Sequence, residues 1–325
     1  MRISMTDRCN LRCGYCMPAE GIEKVPMSRI LTYEQILRIC KAAAELGITR
    51  FKVTGGEPLV RLGCASFCGE MKKLPGVEQV TLTTNGQQLA ENLPALQDAG
   101  IDGINISLDS LQADRYRYIT GGGDLTRTME GIRAAIQSGI KTKINCLLQK
   151  GFNEDELMDF ARLAFEEDID VRFIEIMPIG FGQPDTGLSN RQVLELLREA
   201  YPDLQPDFDF HGNGPAVYYR QEGKPGAVGL ISAMHDRFCG ACNRIRLTSQ
   251  GQVRPCLCFG DSVDLQPALA ADEAALAAGD AGGAGDTGDA ALKEALRSAV
   301  LAKPIGHTFQ EPDTATRQPM MAIGG

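Results

Sequence analysis

Over residues 1–201 this chain alternates short apolar, β-branched segments with helix-period segments, and that alternation restricts it to a few architectures. Strands are predicted at Ile3–Met5, Arg50–Thr54, Gln79–Thr83, Gly103–Leu108, Lys141–Leu147 and Val171–Met177. Helices are predicted at Tyr33–Leu46, Ala65–Leu74, Leu89–Ala99, Thr126–Ser138, Glu154–Phe165 and Asn190–Glu199. Thr32 and Gln35 have capping-box spacing for the first helix, and Gly47, Gly100 and Gly139 stand where helices should stop. Strands joined through helices by short loops run parallel with right-handed crossovers. Six such units predict an α/β fold, an incomplete (β/α)6 TIM-like barrel with its site at the C-terminal strand ends.

Directly after the first strand comes Cys9-Asn10-Leu11-Arg12-Cys13-Gly14-Tyr15-Cys16, three thiols spaced C-x3-C-x2-C. An odd count leaves one thiol over from any disulfide, whereas three thiolates can wrap one soft metal centre. On a four-iron cluster they leave one iron open for a substrate or cofactor. A zinc loop with a distant fourth ligand is the alternative. No apolar signal segment precedes the cysteines, so eleven cysteines point to a reducing, cytoplasmic setting and to metal ligation. No apolar run is long enough to span a membrane. A net charge of −9 argues against non-specific nucleic-acid binding but allows a local basic pocket.

The other strand ends carry polar turns: Gly55-Gly56-Glu57-Pro58, Thr83-Thr84-Asn85-Gly86, Ser107-Leu108-Asp109-Ser110 and Met177-Pro178. Each alone reads as an ordinary turn. Lys52, Lys143 and Arg172 interrupt strands that should be apolar, and a buried cation is costly without an anion. Lys143 and Asn145 share a parity and so a side of their strand. The cations either pair internally, for instance with Glu175, or together bind a polyanion such as a triphosphate.

Beyond Tyr201 the alternation ends, which divides the chain into residues 1–201 and a smaller α+β domain, 202–325. Pro202–Gly229 reads as a junction of short irregular strands. Ala268–Ala291 is almost wholly Ala, Gly, Asp and Glu; its first half reads as a helix and Gly279–Asp289 as a flexible acidic linker. Between them lies a second triad, Cys239-x2-Cys242 with Cys256, followed by Cys258. Zinc is open here too, with Cys258 or His235 as fourth ligand.

The first cysteine loop, with an aromatic residue before its third thiol, resembles the radical S-adenosylmethionine (SAM) superfamily. The whole chain resembles one family in it, the GTP 3′,8-cyclases. The matching pieces are that loop, Gly55-Gly56-Glu57-Pro58, Cys239-x2-Cys242-Asn243-Arg244-x-Arg246, Cys256-Leu257, Lys303-Pro304-x2-His307-x-Phe309 and Met321-x-Ile323-Gly324-Gly325. The resemblance implies a radical SAM barrel and two [4Fe–4S] clusters, one on Cys9, Cys13 and Cys16, the other on Cys239, Cys242 and Cys256. It implies SAM among Tyr15, Gly56, Ser107 and Met177, and GTP among Arg2, Lys52, Thr83, Lys143, Arg172, Arg244, Ile245 and Arg246. Lys52 stands where the family often has Arg, giving a point charge in place of a fork. Arg2 begins a strand that usually has more residues before it.

The implied reaction is removal of the 3′ hydrogen of GTP by a 5′-deoxyadenosyl radical and addition of the sugar radical to C8. The product is (8S)-3′,8-cyclo-7,8-dihydroguanosine 5′-triphosphate, passed to a cyclic pyranopterin monophosphate synthase. Arg244 and Arg246 are the expected catalytic residues, and the Gly-Gly tail is expected to reach the site. An external electron donor is required and a homodimer is admitted. The competing readings are a radical SAM enzyme acting on a peptide and a zinc-binding protein without catalysis. The remaining cysteines, Cys40, Cys64, Cys68 and Cys146, have no ligand role in this scheme.

Overall fold

A computed structural model describes all residues but 19, 236–237, 278–283, 310, 312–314 and 324–325. The six expected parallel strands are present: β1 (Arg2–Ser4), β2 (Arg50–Thr54), β3 (Gln79–Thr84), β4 (Gly103–Ser107), β5 (Thr142–Cys146) and β6 (Asp170–Ile174). They lie side by side in chain order, as right-handed β-α-β connections require. Around them run α1 (Tyr33–Glu45), α2 (Cys64–Lys72), α3 (Leu89–Asp98), α4 (Ala113–Ile119), α5 (Leu125–Gln137), α6 (Leu157–Glu166) and α7 (Asn190–Ala200). The capping box of Thr32 and Gln35 forms, and Gly47, Gly100 and Gly139 take positive φ just past their helices. Helix α4 was not foreseen: its Asp, Arg and Tyr residues show little apolar period, and only Tyr116 and Ile119 are buried.

The remaining strands do not form a separate sheet. They are β7 (Gln205–Asp207), β8 (Val217–Arg220), β9 (Val228–Ile231), β10 (Arg246–Leu247), β11 (Gln252–Arg254) and β12 (Val263–Asp264). They extend both edges of the barrel sheet, in the order β12-β11-β10-β1-β2-β3-β4-β5-β6-β9-β8-β7. Both edge partners run parallel to the barrel: β9 to β6, and β10 to β1. The short first strand is thus flanked on both sides, with Ile3 fully buried and the Met1 amino group 2.6 Å from the Arg50 carbonyl.

Two helices follow, α8 (Gln266–Ala277) and α9 (Ala284–Leu301). The expected helix over the first half of the Ala-rich stretch is there. The expected linker is corrected in part: Ala284–Asp289 belongs to α9, and Asp289 lies 3.4 Å from Arg38 of α1. Helical i+4 hydrogen bonding tolerates the Ala and Asp content, and the buried Leu292, Leu296 and Ala299 farther along supply the packing. No helix among the described residues is long and apolar enough to cross a membrane. The cysteines without a ligand role, Cys40, Cys64, Cys68 and Cys146, are all buried.

Candidate active site

Successive residues of a strand point to opposite faces, so every second residue of the barrel strands faces inward. Lys52 and Thr54, Thr81 and Thr83, Asn105 and Ser107, Lys143 and Asn145, and Arg172 and Ile174 line one interior cavity of about 730 Å³. The volume is that of a small-molecule site. Cys9, Cys13, Cys16, Tyr15, Gly56 and Met177 border it from the C-terminal strand ends. Cys239, Cys242, Cys256, Cys258, Arg244 and Arg246 border it from the second segment, and Arg2 stands between them. Both triads therefore open onto a single chamber, though they lie far apart along the chain. Ile245 is the exception: its side chain lies in the apolar core, 5% exposed. Its backbone carbonyl accepts from Arg2 N at 2.9 Å.

The first cysteine loop is held from three sides. Tyr15 donates its hydroxyl to Asp109 at 2.7 Å, and Leu147 N donates to the same carboxylate. Burial pushes Asp109 up to about 6. Asn85 lies 3.8 Å from Cys9 Sγ and is anchored by Glu57, which accepts from Asn85 N at 2.7 Å and from Thr84 at 2.7 Å. Burial lifts Glu57 to about 7 despite those bonds. The backbone of Met321 hydrogen-bonds Cys16, so the described end of the chain sits against this loop; Gly324 and Gly325 lie outside the described residues. Burial pushes all three thiols up, Cys16 to about 12, so only a bound cation would hold them as thiolates.

The paired glycines have a second reason, packing, that the sequence did not disclose. A Cβ on Gly56 would lie 2.2 Å from the Arg8 carbonyl oxygen, and Glu57 N donates to that same oxygen. Gly56 lets the turn after β2 pack on the backbone entering the cysteine loop. Gly56→Ala is expected to destabilise the protein by at least about 2 kcal/mol, because backbone cannot yield as a side chain can. Thermal unfolding measures it; an unchanged midpoint would disprove the contact.

At the second triad, burial raises the Cys242 thiol, but the charge and hydrogen bonds of Arg244 outweigh it and the thiol titrates below its ordinary value. A hydrogen bond from Cys258 holds Cys256 down to about 5, while the same bond and burial push Cys258 up. His235 has Glu175 as its partner: its Nδ1 lies 2.9 Å from that carboxylate and its side chain is 66% exposed. Among the described residues no three His, Cys, Asp or Glu side chains converge on a single-ion geometry.

Between the triads the wall is cationic. Burial, then repulsion from Arg172, Arg2, Lys143 and Arg244, pushes Lys52 well below its ordinary value. Arg2 is pushed down by burial and by Arg246, Arg244 and Arg172. Burial and Arg244 bring Arg246 to about 10. Lys52 has no ion pair among the described residues. Lys143 does, but with Asp170 and not Glu175, whose carboxylate instead caps Asn190 N and Met234 N. Lys52 and Arg2, buried among like charges, call for an anion.

A C-terminal-face cysteine loop on a parallel partial barrel defines the class, and residues 3–164 match the Radical SAM superfamily. Membership implies one [4Fe–4S] cluster and SAM. Residues 169–309 match the Molybdenum Cofactor Synthesis C family. Three proteins named GTP 3′,8-cyclase align over the full chain and 97% of their own length. They come from Moorella thermoacetica (42% identity), Pelotomaculum thermopropionicum (41%) and Alkaliphilus oremlandii (40%). The chain belongs to the GTP 3′,8-cyclase family. Among solved structures, native anSMEcpe with bound AdoMet shares the fold, with TM-score 0.52, 15% identity, and 78% of this chain and 73% of that one covered.

Proposed function

We propose that this protein converts GTP to (8S)-3′,8-cyclo-7,8-dihydroguanosine 5′-triphosphate, the first step of molybdenum cofactor biosynthesis. The observation that carries this reading is one cavity bordered by two cysteine triads with the buried cations Lys52 and Arg2 between them. Family membership supplies the identity of the anion.

The donor sets suit the groups the family uses. Cys9, Cys13 and Cys16 would hold one [4Fe–4S] cluster, and Cys239, Cys242 and Cys256 a second; all six are free thiols. Cys256 is favoured over Cys258 as ligand because its side chain is the less buried of the two. When bound, the clusters and SAM would supply a 5′-deoxyadenosyl radical and an iron with a free coordination position. Asp109 fixes Tyr15, and Gly56 and Met177 border the space for SAM. Arg2, Lys52, Arg172 and Arg246 face the space for the triphosphate, whose charge would relieve their mutual repulsion. Arg244 stacks over Phe238 at 4.7 Å and Lys303 donates to its carbonyl at 2.8 Å, which anchors both the side chain and the backbone of Arg244 at the cavity wall. Thr83 and Lys143 complete the wall. An external electron donor and a downstream synthase for the product are part of this reading, as is pairing into a homodimer.

The test is anaerobic reconstitution with GTP, SAM and a reductant, followed by liquid chromatography and mass spectrometry. A nucleotide isomeric with GTP, formed together with 5′-deoxyadenosine, is expected. Removing one hydrogen atom and returning one electron and one proton leaves the formula unchanged. Deoxyadenosine without a GTP-derived product would refute the substrate.

A further inference from the structure

The cavity does not end at the cation wall. It continues toward the N-terminal strand ends, where Arg50, Gln79 and Lys141 border it and the segment His211–Pro215 closes it. That floor is fastened at several strands. Asn213 bonds Arg50 of β2 and lies 2.8 Å from Gln79 of β3. Lys141, next to β5, donates to the Phe210 carbonyl at 3.3 Å. His211 places Nδ1 2.9 Å from Asp170 of β6 and Nε2 2.9 Å from Asp207 of β7. Its ring stacks on Tyr218 with centroids 3.9 Å apart. Floor and cation wall touch: a Cβ on Gly214 would lie 3.8 Å from the Arg172 guanidinium.

Asp170 joins the two structures. The Oδ2 that meets His211 also takes the Lys143 ammonium, 2.5 Å away, and Lys143 donates to Tyr218 at 2.9 Å. Lys143 and Asp170 are register partners on adjacent strands, so the pair is set by the sheet itself. We propose that Asp170 is a positioning residue that holds the Lys143 ammonium at the cavity wall and the His211–Pro215 floor beneath it, bounding the space for the far end of the nucleotide's phosphate chain. This rests on the reading of the cavity as a GTP site. A carboxylate shared by a cation and a floor residue couples the two: releasing it frees Lys143 to swing and unlatches one side of the floor. Asp170 itself stands behind the cavity wall, and His211 borders the cavity at the end away from the first cysteine loop.

The experiment uses the anaerobically reconstituted full chain, titrated calorimetrically with GTP and with guanosine, which has no phosphates. In Asp170→Asn the Kd for GTP is expected to rise about tenfold and that for guanosine to stay unchanged. KM for GTP should rise with kcat little altered, and amide exchange over 211–215 should quicken. Equal losses for GTP and guanosine, or a GTP Kd within about twofold of wild type, would overturn the proposal. Should that variant not fold, His211→Ala leaves the Lys143–Asp170 pair in place. It is expected to speed exchange over 211–215 about tenfold, and unchanged exchange would overturn the floor arm. The wild-type titration comes first: no GTP binding there refutes the GTP reading itself, separately from any variant.

Discussion

Arg244→Ala is expected to lower formation of the cyclised nucleotide by roughly 100-fold or more, on the scale of removing one aligned donor from a water-poor site. Cleavage of SAM to 5′-deoxyadenosine without a nucleotide product should persist. The difference follows from where Arg244 stands. Arg244 is half-buried, its guanidinium beside Cys242 and Phe238 on the cavity wall at the second cysteine triad. Removing it leaves Cys9, Cys13, Cys16 and the Tyr15–Asp109 bond untouched. The two products are quantified in one chromatographic run. Full retention of the cyclised nucleotide would take Arg244 out of the mechanism.

The second large effect separates the triads. Cys13→Ser is expected to cut the iron content of the reconstituted chain by about half and to abolish SAM cleavage altogether, because a hydroxyl is a poor substitute for thiolate on a soft centre. Cys242→Ser should lose a similar share of iron yet keep SAM cleavage, now without the GTP-derived product. Iron counting with Mössbauer spectroscopy reads the first quantity and deoxyadenosine release the second. Wild-type iron content in both variants would place the clusters' donors elsewhere. Cys258→Ser makes the local comparison, with both clusters expected to survive.

Much of this was legible because it depends on neighbours in sequence. The capping box at Thr32 and the glycine stops at Gly47, Gly100 and Gly139 are interactions over three or four residues, and they form as read. Strand positions followed from apolar runs and were off by a few residues at most, the largest shift being the end of β6 at Ile174, where Met177 was expected. Helix α4 escaped because its buried face is only two residues. Only the structure shows that the Ile245 side chain turns into the core while those of Arg244 and Arg246 border the cavity. The Gly55-Gly56 pair was legible as a place of close approach, but not the partner it approaches, the backbone of Arg8.

Thiol spacing, strand parity and the cations set into three strands are properties of the linear chain; they pointed to soft-metal ligation and left iron–sulfur against zinc, and a bound polyanion against internal pairs, to be decided by the family resemblance. Only the tertiary structure decided that Cys16 and Cys242 border one chamber, and that Lys143 is held by Asp170 while Glu175 turns away to cap backbone amides. The reason is register: which residue of β6 stands beside Lys143 depends on how adjacent strands are staggered, and stagger is set by packing across the whole sheet.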